Sequence, residues 1–171
     1  MTPVRTASRL AAALLLLALS SSTGFALSWG VKELETEKGA INFAREVQRG
    51  GYRFLSTEEL KSWLDRKKPM LVVDTMPFED SYRKQHIPGA VNFGLPVQEL
   101  ERMDLRTQAA FENLLGPDKD RTIVFYCGFT KCLRSHNGAM WAVKLGYRNV
   151  YRQPGGIKAW EQAGYPMEKA K

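Results

Sequence analysis

Cysteine is scarce in this 171-residue chain: it occurs at Cys127 and Cys132 and nowhere earlier. A stabilising disulfide framework joins distant segments, because closing a longer loop restricts the unfolded chain more. Two thiols five positions apart read instead as a local, chemical pair. Histidine is equally sparse, with His86 and His136 far apart, a poor set for a metal centre. No metal and no cofactor are expected. The absence of cysteine near the start argues against an N-terminal lipid anchor on that residue. The longest apolar run, residues 10–19, is about half the ~20 residues that span a bilayer, so no stable membrane span is expected. Internal repeats and low-complexity tracts are also lacking.

What the first 26 residues do have is order. Arg5 and Arg9 precede the apolar run, and the small residues of GFA follow at 24–26. This layout predicts a cleaved secretory signal over residues 1–26 and a periplasmic or secreted mature chain. Removing it lowers the formal charge from +7 to +5, a balance read as solubility or as attraction of small anions. The short cluster RKK at 66–68 closes an amphipathic segment, where cations suit a helix C-terminus, and predicts no nucleic-acid arm. The remaining 145 residues are enough to bury an ordinary core without covalent staples.

Residues 27–52 are charged with interspersed apolar positions and read as a helical extension or linker, one helix or two, ended by Gly50 and Gly51. Ser56 opens STEE, a capping box with Glu59 three residues on, followed by Leu60, Trp63 and Leu64 at helical spacing. MLVVD at 70–74 suits a buried parallel strand, and AVNF at 90–93 another. Residues 108–115 read as a helix closed by Gly116 and Pro117. TIVFY at 122–126 is the central strand. A helix over 135–145 ends at Gly146. NVY at 149–151 is a last strand, after which Gly155 and Gly156 open a terminal helix with Trp160. Strands alternating with helices predict an α/β fold with a mostly parallel sheet. Trp63, Trp141 and Trp160 read as packing residues.

The stretch YCGFTKCLRSHNGAMWAVKLGY at 126–147 carries the chemistry. A nucleophile at the carboxyl end of a buried strand and before a helix sits where open α/β sheets bind ligands. Loop amides and the helix N-terminus favour an anion there, and Lys131 and Arg134 add positive charge. These features predict a thiolate at Cys127. Position alone leaves the other reading open, an inert buried cysteine at a strand end. Cys132 is either a bystander or a resolving thiol able to attack a sulfenate or persulfide on Cys127 and close a disulfide. His136 reads as a solvent-facing first-turn residue.

Three segments in order resemble the rhodanese-like superfamily: LVVDTMPFEDSYRKQHIPGAVNF, YCGFTKCLRS and LGYRNVYRQPGGIKAW. The resemblance covers residues 53–171. It implies an α/β fold with about five mostly parallel strands flanked by helices. It implies that Cys127 forms a persulfide, takes up sulfane sulfur and passes it to a thiophilic acceptor. In that reading Cys127, Cys132 and Arg134 carry the chemistry, and Gly128, Phe129, Thr130, Lys131, Leu133 and Ser135 line the substrate loop. Asp74, His86, Gly89, Gly155 and Gly156 are structural. The partners implied are a small sulfur-containing anion or low-molecular-weight thiol and a periplasmic thiol protein. The alternative is a non-catalytic or redox module cycling a Cys127–Cys132 disulfide. Two departures stand out. The family's usual loop arginine, about five positions after the nucleophile, is Cys132 here, with Arg134 two residues later in a longer loop. Met76 stands where the family usually has an arginine after the first aspartate.

Overall fold

A computed structural model describes residues 32–170; the expected signal segment lies outside them. The chain separates into two units, Met1–Lys38 and Gly39–Lys171. Of the first, only the start of helix α1 (Glu33–Gly50) is described, where Lys38 pairs with Glu35 at 3.1 Å. The expected N-terminal helical extension is thus a single helix. Among the described residues no helix is long and apolar enough to cross a membrane.

The second unit is built on five parallel strands: β1 (Arg53–Phe54), β2 (Leu71–Asp74), β3 (Val91–Asn92), β4 (Thr122–Tyr126) and β5 (Asn149–Arg152), in the order β1-β5-β4-β2-β3. Helices α2 (Thr57–Asp65), α3 (Leu105–Leu115), α4 (Arg134–Lys144) and α5 (Gly156–Gln162) connect and cover them, with one π-helical turn at Phe78–Tyr82. The five-stranded α/β expectation therefore holds, and the mostly parallel sheet is wholly parallel. The two-residue β1 escaped the sequence reading, because so short a strand carries no periodicity.

Alternation along the central strands divides the core. Leu71, Val73, Ile123 and Phe125 face one cluster with Phe111, Leu115, Ala139 and Met140 of α3 and α4. Val72, Val124 and Tyr126 face the other with Leu60 and Trp160 of α2 and α5. The α2 capping box forms as its sequence predicts: Ser56 Oγ accepts the Glu59 amide at 3.1 Å and Glu59 accepts the Ser56 amide at 2.6 Å. Helix α3 begins three residues before the predicted start, because Asp104 caps it through the Thr107 amide at 2.9 Å.

Strand β2 ends on the fully buried Asp74. Its Oδ1 accepts the Met76 amide at 2.8 Å, while Oδ2 has no hydrogen-bond partner. Burial lifts the carboxyl from 3.8 to about 6, against the opposing pull of the Met76 amide and the Tyr126 hydroxyl. A carboxyl that holds its proton more tightly when folded favours the native state in acid. That contribution is complete below about pH 4 and lost as pH rises through about 6. A rise of this size corresponds to roughly 3 kcal/mol. Denaturant unfolding from pH 4 to 7 is expected to show a loss of that order, and Asp74→Asn to flatten it. Equal slopes in the two proteins would rule this out.

Candidate active site at the cysteine loop

Strand β4 delivers Cys127 at its carboxyl end, and the loop from 127 to 133 leads into α4. The loop is held from below by the start of α5, whose Ile157 and Lys158 amides donate to the Cys127 and Gly128 carbonyls at 2.9 and 3.1 Å. This close approach requires Gly156, whose φ is +64°. A Cβ there would lie 2.3 Å from the Cys127 oxygen and 2.6 Å from the Gly128 carbonyl carbon. Gly155 is equally confined, against Ala159 and Gln153. Gly128 faces the Met76 side chain, whose Sδ and Cε would lie 3.5 Å from a Cβ placed there.

Cys127 is fully buried. Its sulfur lies 3.1 Å from Ser135 Oγ, 3.2 Å from the Cys132 carbonyl oxygen and 3.8 Å from that of Phe129. The expectation of a resting thiolate ringed by amides is not what the geometry shows. Burial is the main cause that pushes this thiol well above its ordinary value, with the neighbouring Cys132 adding to it and the Ser135 hydroxyl and amide opposing. Cys132 behaves in the opposite sense. The hydrogen bond from the Cys127 thiol, helped by the Arg134 and Gly128 amides and the Arg134 side chain, lowers it to about 5 despite burial. The surroundings thus favour ionisation of Cys132 over Cys127. Both are free thiols.

The predicted cations divide. Lys131 is exposed at the loop crest beside Thr130 and Phe129, the latter 53% exposed. Arg134 is half-buried, acts on Cys132 rather than Cys127, and its Nε has no partner. Leu133 precedes α4 and offers it no side-chain cap. Behind Cys127 stands a residue the sequence reading missed, Arg152 of β5. Its Nε donates to Ser135 Oγ at 3.0 Å, and its Nη2 to the Thr130 and Cys132 carbonyls, both at 3.1 Å. Ser135 Oγ thus bridges the Arg152 guanidinium and the Cys127 sulfur. The one signal available was an arginine on the same phase of β5 as the core residue Val150.

His136 also departs from expectation. It is fully buried rather than solvent-facing, with Nδ1 2.7 Å from Tyr52 Oη and Nε2 3.6 Å from Glu99. Burial lowers its basicity, so it stands as a neutral ring. His86 makes its contacts away from the cysteine loop, with Tyr82 and Glu168. It stacks on Tyr82 at 4.0 Å, and its Nδ1 lies 2.9 Å from the Tyr82 carbonyl. Gly89, at φ +74°, gives its amide to Glu168 at 3.0 Å. Among the described residues no cluster of His, Cys, Asp or Glu could hold a metal ion.

Comparison with known proteins agrees with this fold. The family model described as "Rhodanese-like domain" matches residues 56–163. No curated protein matches the chain. Among solved structures, a thiosulfate sulfurtransferase from Pseudomonas aeruginosa is similar over 78% of this chain and 23% of its own, with 22% identity and a TM-score of 0.59. The chain thus spans about a quarter of that relative. A Bacillus halodurans protein is similar over 74% of this chain and 83% of its own, with 21% identity and a TM-score of 0.54. A Rhodopseudomonas palustris protein described as a possible tyrosine phosphatase is similar over 74% and 93%, with 22% identity and a TM-score of 0.55. At these identities the likeness is one of fold.

Gly156→Ala is expected to destabilise the protein by about 2–5 kcal/mol, from ~1–2 for the left-handed backbone and ~1–3 for the overlap with the loop. It should also speed alkylation of Cys127 at a fixed fraction folded, by loosening the loop above it. A variant of wild-type stability and reactivity would show that α5 does not hold the loop.

Proposed function

The chain belongs to the rhodanese-like domain family, and we propose that it is a sulfurtransferase that forms a persulfide on Cys127 and works in the periplasm or an equivalent compartment. The observation that carries this reading is the Cys127 sulfur at the carboxyl end of the central strand, in contact with Ser135 and paired with a more acidic Cys132. The family match supports the chemistry, the solved neighbour described as a thiosulfate sulfurtransferase shares the fold, and the composition of residues 1–26 supports the compartment.

In this mechanism the Cys132 thiolate takes the Cys127 proton, and the Ser135 hydroxyl donates to the sulfur anion so formed. With the loop opened, Cys127 attacks the outer sulfur of a small sulfane donor such as thiosulfate. The new S–S bond forms as the donor's S–S bond breaks and sulfite leaves with the electron pair. An acceptor thiolate then attacks the outer persulfide sulfur, the Cys127 S–S bond breaks, and the pair returns to Cys127.

The closeness of the two thiols favours a second outcome. The Cys132 thiolate attacks the inner sulfur of the persulfide, hydrosulfide leaves, and a Cys127–Cys132 disulfide forms. A dithiol or two monothiols must then reduce it, which is where a thiol protein partner enters.

Trypsin cleaves after Lys131 and so puts the two cysteines on different peptides. Incubation of the reduced protein with thiosulfate or polysulfide should add one sulfur to the Cys127 peptide, and Cys127→Ser should lose transfer to background. With its pair ionising near 5, the wild type should take up sulfur at a rate nearly independent of pH from about 6 to 8. Cys132→Ala removes the proton acceptor and should make uptake rise by up to about tenfold per pH unit over that range, because Cys127 alone must then ionise. Parallel profiles would show Cys132 to be a bystander. Full turnover by Cys127→Ser would sink the assignment of the nucleophile.

A further inference from the structure

Three residues that precede the family-matched segment 56–163 converge on the guanidinium of Arg152. Glu46 of α1 accepts from Nη1 at 2.5 Å, and Tyr52 Oη accepts from the same nitrogen at 3.2 Å. The Phe43 ring, also on α1, lies 5.3 Å from the guanidinium carbon. The Arg152 side chain is wholly buried and that of Glu46 is 12% exposed. A pair so placed differs from a surface ion pair, because removing either partner strands a charge without solvent to screen it.

The remaining donors of Arg152 all go forward, to Ser135 Oγ and to the Thr130 and Cys132 carbonyls. The guanidinium is therefore set from behind by α1, and in front it decides which atoms face the Cys127 sulfur. We propose that α1 is part of the reactive centre, with Glu46 a positioning residue that holds Arg152 against Ser135 and the cysteine loop. The inference rests on Cys127 as the reactive thiol. The other charged and titratable groups around the network are Tyr52, His136 backed by Glu99 and Arg49, and at the loop Cys132 and Arg134.

The Glu46 carboxylate offsets the field of Arg152 at the thiols. Glu46→Gln keeps an oxygen to accept from Nη1 but removes the charge, so the uncompensated guanidinium favours thiolate. Glu46→Asp keeps the charge and draws it back by one methylene. The experiment is the rate of iodoacetamide alkylation of the tryptic Cys127 peptide against pH in the reduced protein, alongside thermal unfolding and circular dichroism.

For a folded Glu46→Gln the midpoint is expected to move down by about 0.5–1 pH unit, and for Glu46→Asp to move the same way by less. A folded Glu46→Gln whose profile superimposes on wild type overturns the proposal, since a purely structural role changes the melting temperature and leaves the midpoint alone. Should Glu46→Gln fail to fold, a Glu46→Asp profile indistinguishable from wild type overturns it equally. Alkylation reports the thiol rather than sulfur transfer. A wild type that transfers no sulfur would defeat the proposed activity and still leave the role of Glu46 to be decided by these midpoints.

Discussion

A permanently charged guanidinium with no exposure to water is the constraint around which this protein is arranged. Arg152 lies on the last strand at a position whose neighbour in phase, Val150, packs into the core. Desolvating such a group costs several kcal/mol, so each N–H needs an acceptor and the charge needs a counter-ion. The fold supplies them from separate elements: Glu46 and Tyr52 from the N-terminal side, Ser135 from α4, and two carbonyls from the cysteine loop. Leaving the guanidinium without its carboxylate would cost on the order of 3–5 kcal/mol, a large share of a typical domain's stability. The loop geometry is therefore tied to the same balance that keeps the strand folded.

That arrangement has a chemical consequence. By holding the Thr130 and Cys132 carbonyls, Arg152 fixes a loop in which the Cys132 and Phe129 carbonyl oxygens face the Cys127 sulfur, opposed by the Ser135 hydroxyl and amide. Burial and those oxygens hold Cys127 as a thiol. The amides that the loop does free, at Gly128 and Arg134, serve Cys132. Two sulfurs in one small loop thus differ in acidity because their immediate hydrogen-bonding surroundings differ, although both are buried. In the proposed mechanism, a protonated Cys127 beside an ionised Cys132 keeps the site quiet until the proton moves between them.

The polar network extends this coupling away from the thiols. Tyr52 takes a hydrogen bond from Arg152 and faces His136, which in turn faces Glu99, and Glu99 is held by Arg49 in a bidentate pair at 2.6–3.1 Å. Every one of these groups lies on α1 or α4 or packs beside them. The cysteine loop, the first turn of α4 and the second half of α1 are consequently joined by one hydrogen-bonded network.

The sequence by itself determined the order and type of the main elements, the parallel α/β architecture and the place of Cys127. Each of these is written in local chemistry: short apolar runs at β2 and β4, the Ser56–Glu59 cap, and the glycines that only a tight turn or close approach requires. It also placed Cys127 and Cys132 in one short loop, where a curled backbone permits the two thiols to approach but an extended one would hold them about 17 Å apart. What only the tertiary structure decided was the electrostatics of that pair. Arg134 and Lys131 are near in sequence, and one faces Cys132 while the other faces solvent. Arg152 and Glu46 are 106 residues apart and meet at 2.5 Å. His136, polar and in a first turn, is buried because Tyr52, 84 residues away in the chain, supplies its hydrogen bond. Thiol acidity depends on which donors, acceptors and charges lie within a few ångströms of the sulfur, and those are set by contacts between segments that no local pattern in the chain connects.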